Sequence, residues 1–145
     1  MKNNIYGFTL MEMLLVMAII AIIAGAFFTN LFSSIARGRD GRRKEDLRSI
    51  SQALELYYND NRQYPDALPP PDVIFSHPDN IDTIYMQKIP DDPKADNDYC
   101  YATGGGWYSV YANLENSSDS DVLPDLVNCG GVDYNYGISS TNVTP

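Results

Sequence analysis

Residues that carry most enzyme and metal chemistry are scarce in this chain of 145 residues, which has one histidine and two cysteines. His77, Cys100 and Cys129 could supply at most three zinc ligands, whereas a structural zinc site normally has four. His77 also has no serine or cysteine at a recognisable catalytic spacing, and the sequence contains neither a nucleophile elbow nor a phosphate loop. We therefore predict that the chain is not an enzyme and that it needs no organic cofactor.

Basic residues are scarce after residue 48. The range Ser49 to Pro145 carries 3 lysines or arginines against 15 aspartates or glutamates, a net charge of −12. Such an acidic surface repels phosphates, so we do not expect this part of the chain to bind nucleic acid directly. Solubility is a sufficient reason for the acidity.

Long hydrophobic runs are absent except at the N-terminus, where Met13 to Phe28 forms 16 consecutive residues without a charged or strongly polar side chain. With Phe8 to Met11 added, the run is long enough to cross most of a bilayer as a helix. Glu12 interrupts it, and a carboxylate at membrane depth costs roughly 2.5 to 3.5 kcal/mol. Its expected partner is an amine, which cleavage after Gly7 would create at Phe8.

These residues carry a resemblance to a known family. A short leader with Lys2, ending in Gly7 and followed by Phe-Thr-Leu-Met-Glu12 and an apolar helix, resembles the prepilin leader of type IV pilins and type II secretion pseudopilins. In that family a prepilin peptidase removes the leader and methylates the new N-terminal amine. The resemblance implies cleavage between Gly7 and Phe8, methylation of Phe8, and a role in assembly for Glu12.

The resemblance also implies partners and a location. The partners are the prepilin peptidase, identical and related subunits in a helical filament, and an inner-membrane assembly platform. The chain would cross the inner membrane once, with an extracytoplasmic head, and then join a pilus or pseudopilus at the cell surface or in the periplasm.

Two other interpretations of the N-terminus remain open. One is a plain signal anchor, and the other is a secretory signal peptide with Lys2 as the basic region, Met13 to Ile23 as the apolar core and Ala24-Gly25-Ala26 as the cleavage site. In the second case the mature chain would start at Phe27 and would be a secreted or anchored binding domain. The N-terminus of the mature protein distinguishes these interpretations.

The sequence pattern predicts an α+β fold, in which a long N-terminal helix packs against a small antiparallel sheet, and the resemblance implies that this fold is pilin-like. We expect a leader at residues 1–7, a transmembrane or filament-core helix at 8–32, an amphipathic continuation of this helix at 33–61, and a small acidic head at 62–145. Apolar residues recur at helical spacing at Leu47, Ile50, Leu54 and Tyr57. Ala53 and Tyr58 lie beside them in the sequence.

Prolines and glycines, which interrupt helices and strands, predict the boundaries of the elements that follow. The helix should end near Asn59 to Asn61, because Pro65 cannot continue it. Residues 66–98 should form an ordered loop that is rich in proline and aspartate, with a short helical turn at residues 82–87. Residues 99–102 and 107–114, joined through Gly104-Gly105-Gly106, predict a β-hairpin. Residues 134–136 should add a third strand, and the tail from Ser139 should be frayed.

Two further predictions concern the location of the head. A disulfide between Cys100 and Cys129 would contribute roughly 3 to 4 kcal/mol and would place the head outside the cytoplasm, although two buried free thiols are an alternative. The positive-inside rule favours the opposite orientation. It would keep in the cytoplasm a basic cluster made of Arg37, Arg39, Arg42, Arg43, Lys44 and Arg48.

The segment Lys88 to Leu114 is similar to the loop and hairpin of the major pseudopilins, which bind calcium in the loop after the hairpin. The resemblance implies a calcium site in this chain with oxygen ligands from Glu115, Asn116, Asp119, Asp121 and Asp125. A solvated acidic loop is the alternative, because the spacing matches no fixed calcium loop and a disulfide at Cys129 could replace the ion.

Overall fold

The computed structural model describes residues 7–95, 97–104 and 106–144, apart from the side chains of residues 26–30. The predicted leader therefore lies outside the described residues except for Gly7. The chain divides into two units, Met1–Ala36 and Arg37–Pro145.

One long helix, α1, extends from Leu10 to Asn61. Its end confirms the stop predicted from Pro65. Arg62 follows with a φ of 59° and donates its N–H to the carbonyl of Tyr58 at 2.8 Å, which is the left-handed closure typical of a helix C-terminus. α1 continues without a break through the glycines at positions 38 and 41.

Seven short strands follow α1 in the part of the chain that the structure describes. They are β1 (Phe75–Ser76), β2 (Ile84–Met86), β3 (Cys100–Thr103), β4 (Tyr108–Ala112), β5 (Val127–Cys129), β6 (Val132–Tyr134) and β7 (Tyr136–Ser139). They form three antiparallel sheets with the strand orders β1-β2, β3-β4-β7 and β5-β6. The α+β fold with a small antiparallel head is therefore confirmed.

The predicted hairpin is the pair β3 and β4, in which Cys100 lies opposite Tyr111 and Thr103 lies opposite Tyr108. In its turn, the indole ring of Trp107 occupies the space that a side chain at Gly104 would need, so a larger residue there would displace the ring.

The helical turn predicted at residues 82–87 is wrong, because Ile84–Met86 forms strand β2. Its central residue, Tyr85, packs its ring against the rings of Tyr57 and Phe75, each with a centroid distance of 5.4 Å. Burial of this aromatic side chain between α1 and β1 favours the extended backbone over a local helical turn.

The prediction of one strand at residues 134–136 is also corrected. β6 ends at Tyr134 and β7 begins at Tyr136. The side-chain amide of Asn135, between them, binds the backbone of Leu114: its Oδ1 accepts the N–H of Leu114 at 2.7 Å, and its Nδ2 donates to the carbonyl of Leu114 at 3.0 Å. The tail is ordered at least to Ser140, which is only 3% exposed, so the frayed tail was predicted too early in the chain.

The core of the second unit forms where α1 packs on the central strand β4. The predicted apolar stripe of α1 is buried, with Leu47, Ile50, Ala53, Leu54 and Tyr57 all at most 8% exposed. It faces a cluster that includes Tyr108, Val110, Ala112, Leu114 and Tyr136. Full burial of each large apolar side chain stabilises the fold by about 1.5 to 3 kcal/mol, so this contact is sufficient to fix the head on the helix.

Candidate functional site

The predicted processing motif lies at the beginning of α1. Phe8 is 74% exposed. Thr9 caps the helix, because its Oγ1 accepts the N–H of Glu12 at 3.2 Å and its carbonyl accepts the N–H of Met13 at 3.2 Å. Thr9 and Glu12 have the spacing of a capping box, a local signal that the sequence reasoning missed. Glu12 thus lies in the first turn of α1, where the helix dipole favours a negative charge.

The helix that follows this motif exposes apolar side chains on every side. Eleven large apolar residues between positions 10 and 23 are 42% to 79% exposed, namely Leu10, Met11, Met13, Leu14, Leu15, Val16, Met17, Ile19, Ile20, Ile22 and Ile23. A helix that is apolar all round is normally surrounded by lipid or by other protein.

Among the described residues, no helix meets the combined length and apolarity expected of a membrane span. The apolar run predicted from the sequence ends at Phe28, and its last residues, 26–28, have side chains outside the described set.

The second group of functional interest is an ionic cluster in the other unit, centred on Arg43. This side chain is fully buried, and its Nε and Nη2 bind the two carboxylate oxygens of Asp92 at 2.6 and 2.8 Å. Its Nη1 binds Asp40 and Glu115, each at 2.8 Å. The bond to Asp92 is the main cause of a raised pKa of Arg43, so the guanidinium stays charged although it is buried.

Asp40 connects α1 to the loop after β4 through backbone hydrogen bonds. Its two carboxylate oxygens accept the N–H groups of Glu115 and Asn116, each at 2.9 Å. Asp40 itself is 1% exposed, and its charge is balanced by Arg43. This residue therefore orders the first part of the loop that the sequence suggested for calcium.

Glu115 is held by two arginines of α1. Arg39 donates its Nε to Oε1 at 2.7 Å and its Nη2 to Oε2, while Arg43 also binds Oε1. The hydrogen bonds from Arg39 are the largest cause of a pKa of Glu115 lowered to about 2. The carboxylate is therefore ionised at every physiological pH.

Further along the loop, two carboxylates bind one lysine of α1. Nζ of Lys44 lies 2.6 Å from Oδ1 of Asp119 and 2.8 Å from Oδ2 of Asp121, and 5.8 Å from the ring centroid of Tyr136. Burial by itself lowers the pKa of Lys44, but the hydrogen bonds to Asp119 and Asp121 outweigh it, so the pKa is raised. The bond from Lys44 lowers the pKa of Asp119.

Three of the five residues suggested for calcium are paired with side-chain cations. Glu115, Asp119 and Asp121 bind the arginines and the lysine of α1. The side chain of Asn116 instead accepts the N–H of Ser118 at 3.4 Å, and Asp125 is exposed. Across the described ranges, no group of three or more histidine, cysteine or acidic side chains is arranged to hold a metal ion. The donor set therefore does not fit calcium as it stands.

The cysteine pair is also in place. Cys100 and Cys129 form a disulfide that joins β3 to β5, with 6.2 Å between their Cα atoms. The predicted pairing is thus present in the structure.

The sequence reasoning missed Asp40 and Asp92 as functional partners. Asp92 lies 49 positions from the arginine that it binds, and no local pattern reports such a contact. A global signal did exist, because a strongly basic segment of the helix is followed by a strongly acidic head.

Comparison with known families agrees with both units. Residues 2–28 match the family model of the prokaryotic N-terminal methylation motif, and residues 30–119 match the model of type II secretion system protein G. No solved structure gives a significant match.

Similar proteins carry consistent names. The chain is 30% identical to the type II secretion system core protein G of Pseudomonas aeruginosa over 130 residues, which cover 80% of this chain and 90% of that protein. It is 28% identical to the protein of the same name from Aeromonas hydrophila over 133 residues, 83% of this chain and 92% of that protein.

A shorter match concerns a pilus. The chain is 39% identical over 62 residues to the type IV wide pilus major component PilA4 of Thermus thermophilus, covering 43% of this chain and 47% of that protein. Since the protein G model matches more than half of the chain and two long relatives bear the same name, this chain belongs to the type II secretion system protein G family.

Proposed function

We propose that this chain is a structural subunit of a type IV pilus-like filament, as either a pseudopilin or a pilin, and has no enzymatic role. The observation that carries the proposal is the complete methylation motif at residues 2–28, placed at the beginning of a helix whose apolar side chains are exposed on every side. In a filament, neighbouring copies of this helix would cover that surface.

Processing and location follow from the same motif. A prepilin peptidase cleaves between Gly7 and Phe8 and methylates the amine of Phe8. Before assembly, the apolar part of α1 anchors the chain in the inner membrane, the head lies on the extracytoplasmic side, and an assembly platform passes the subunit into the filament. The names of the relatives, a secretion core protein and a pilus component, support this sequence of events.

Glu12 provides the electrostatic contact for assembly. At an effective dielectric constant near 20, opposite charges about 4 Å apart attract by roughly 4 kcal/mol. This gain is comparable with the roughly 2.5 to 3.5 kcal/mol that a carboxylate costs at membrane depth. The partner of the Glu12 carboxylate is the amine of Phe8 on a neighbouring subunit. This contact would favour a subunit in the filament over a free subunit in the membrane.

The test is to replace Glu12 in cells that contain the peptidase and the assembly platform. Glu12→Val subunits should be cleaved and inserted in the membrane, but the yield of sheared filaments should fall at least tenfold, since a loss of only about 1.4 kcal/mol already gives that factor. Immunoblots of sheared and membrane fractions measure both effects.

Two matched variants separate the contact from helix capping, the other role that the spacing of Thr9 and Glu12 suggests for this glutamate. Glu12→Gln keeps a residue suited to the capping box but removes the charge, and it should fail to assemble like Glu12→Val. Thr9→Val removes the observed cap but keeps the carboxylate, and it should still assemble. Normal filament yield from Glu12→Gln would refute the electrostatic role.

A further inference from the structure

The loop after β4 is the place where the family resemblance implies calcium, and three of its carboxylates are already paired with cations of the chain. The negative charges of Asp119 and Asp121 meet the ammonium group of Lys44, and that of Glu115 meets two guanidinium groups. All three cations belong to two successive turns of α1, which packs beside the loop.

We infer that Lys44 takes the place of a calcium ion in this protein, so that the loop Glu115 to Asp125 folds around an ammonium group supplied by α1 and does not depend on calcium. The inference concerns the head alone and is independent of filament assembly.

The position of Lys44 carries the argument. Its Nζ lies within 2.8 Å of one oxygen from each of Asp119 and Asp121 and faces the ring of Tyr136. A calcium ion ligated by the same two carboxylates would lie beside this ammonium group, and two cations in contact repel each other. The lysine would have to leave, although its side chain is only 16% exposed.

The rest of the loop is also held by contacts within the chain. Asp119 also accepts the N–H of Asp121 at 3.0 Å and donates its own N–H to the carbonyl of Asn116 at 3.0 Å, so the carboxylate that binds Lys44 closes a turn at the same time. At the other end, both oxygens of Glu115 are engaged by arginines. Three oxygen-bearing side chains that could ligate a metal are thus used by cations of the chain.

The first measurement is the melting temperature of the full-length chain in detergent, with millimolar calcium or with a chelator. The fluorescence of Trp107 reports the unfolding. We expect the same melting temperature for the wild-type chain in both conditions. Lys44→Met leaves Asp119 and Asp121 without their counter-ion, and we expect a decrease of about 5 °C in chelator that calcium largely reverses.

Matched variants isolate the effect. Lys88→Met removes a lysine whose pair with Asp72 is about two-thirds exposed on both sides, and it should change the melting temperature in neither condition. Lys44→Arg keeps a cation at the site and should remain indifferent to calcium. If Lys44→Met folds only when calcium is present, that result supports the inference in its strongest form.

A second measurement reports the site itself. Terbium, which binds calcium sites and emits light when a nearby tyrosine is excited, should give a saturable signal with Lys44→Met, where Tyr136 is the expected sensitiser. The signal should be absent from the wild-type chain and should disappear when Asp119→Asn is added to Lys44→Met. A calcium-dependent rise in the wild-type melting temperature, or a Lys44→Met chain that is as stable as wild type and binds no terbium, would overturn the inference.

Discussion

At the residue scale, the buried Arg43 shows that part of the basic cluster stabilises the fold of the head. Three members of the basic cluster, Arg39, Arg43 and Lys44, bind carboxylates of the head. These three cations are therefore accounted for by contacts within the fold. The positive-inside rule counts lysines and arginines and gives little weight to acidic residues, so the conflict between the basic cluster and an extracytoplasmic head remains. The orientation itself stays a prediction.

The same residue gives a prediction on stability. Arg43→Met leaves the buried carboxylates of Asp40 and Asp92 without a counter-charge, and breaking a buried pair in this way costs about 3 to 5 kcal/mol. We expect the free energy of unfolding, measured by denaturant titration of the full-length chain in detergent, to fall by that amount.

The control for Arg43 lies one position earlier in α1. Arg42 is 61% exposed and lies 3.7 Å from Asp46, so Arg42→Met should cost less than about 1 kcal/mol. Equal losses for the two variants would mean that the buried network contributes no more than an exposed pair.

At the scale of elements, local signals predicted what local energies decide. The end of α1 at Asn61 and the β3-β4 hairpin follow from Pro65 and from the glycines of the turn. Strand β2 did not follow, since three residues carry little pattern and the packing of Tyr85 on α1 decides their conformation. The division between β6 and β7 depends on the side chain of Asn135, whose partner Leu114 is 21 positions away. No local sequence pattern specifies which residues pair across such separations, and the same is true of the ionic cluster.

The disulfide gives a prediction at this scale, because it joins two of the three sheets. Peptide mapping without reduction should yield Cys100 linked to Cys129. On intact cells, an impermeant thiol reagent should label the chain only after reduction, since an oxidising compartment lies outside the cytoplasm. A Cys100→Ser, Cys129→Ser chain is the control and should not be labelled. Labelling that needs membrane lysis would refute the extracytoplasmic location.

At the scale of the whole molecule, the two units have opposite needs. The unit Arg37–Pro145 contains its own core and satisfies its buried charges internally. The unit Met1–Ala36 presents apolar side chains on all sides of a helix, a surface that stays in water only at a large cost. The central claim of this account is that processing after Gly7 prepares the apolar surface of the unit Met1–Ala36 for assembly.

The motif around Gly7 and Phe8 is the part of the sequence from which this claim follows most directly. Among the described residues, no atom lies within 4 Å of the position of a Cβ at Gly7, so the folded chain would accept a side chain there. If glycine is required at this position, the requirement therefore comes from the peptidase. Gly7→Val should keep the head folded and leave the leader attached.

The most direct measurement is mass spectrometry of the N-terminal peptide of the mature protein, isolated from cells that contain the prepilin peptidase. We predict a peptide that begins at Phe8 and carries one methyl group on its α-amine, and an uncleaved N-terminus in Gly7→Val. A mature chain that begins at Phe27, or that still begins at Met1 in the wild-type protein, would contradict the account.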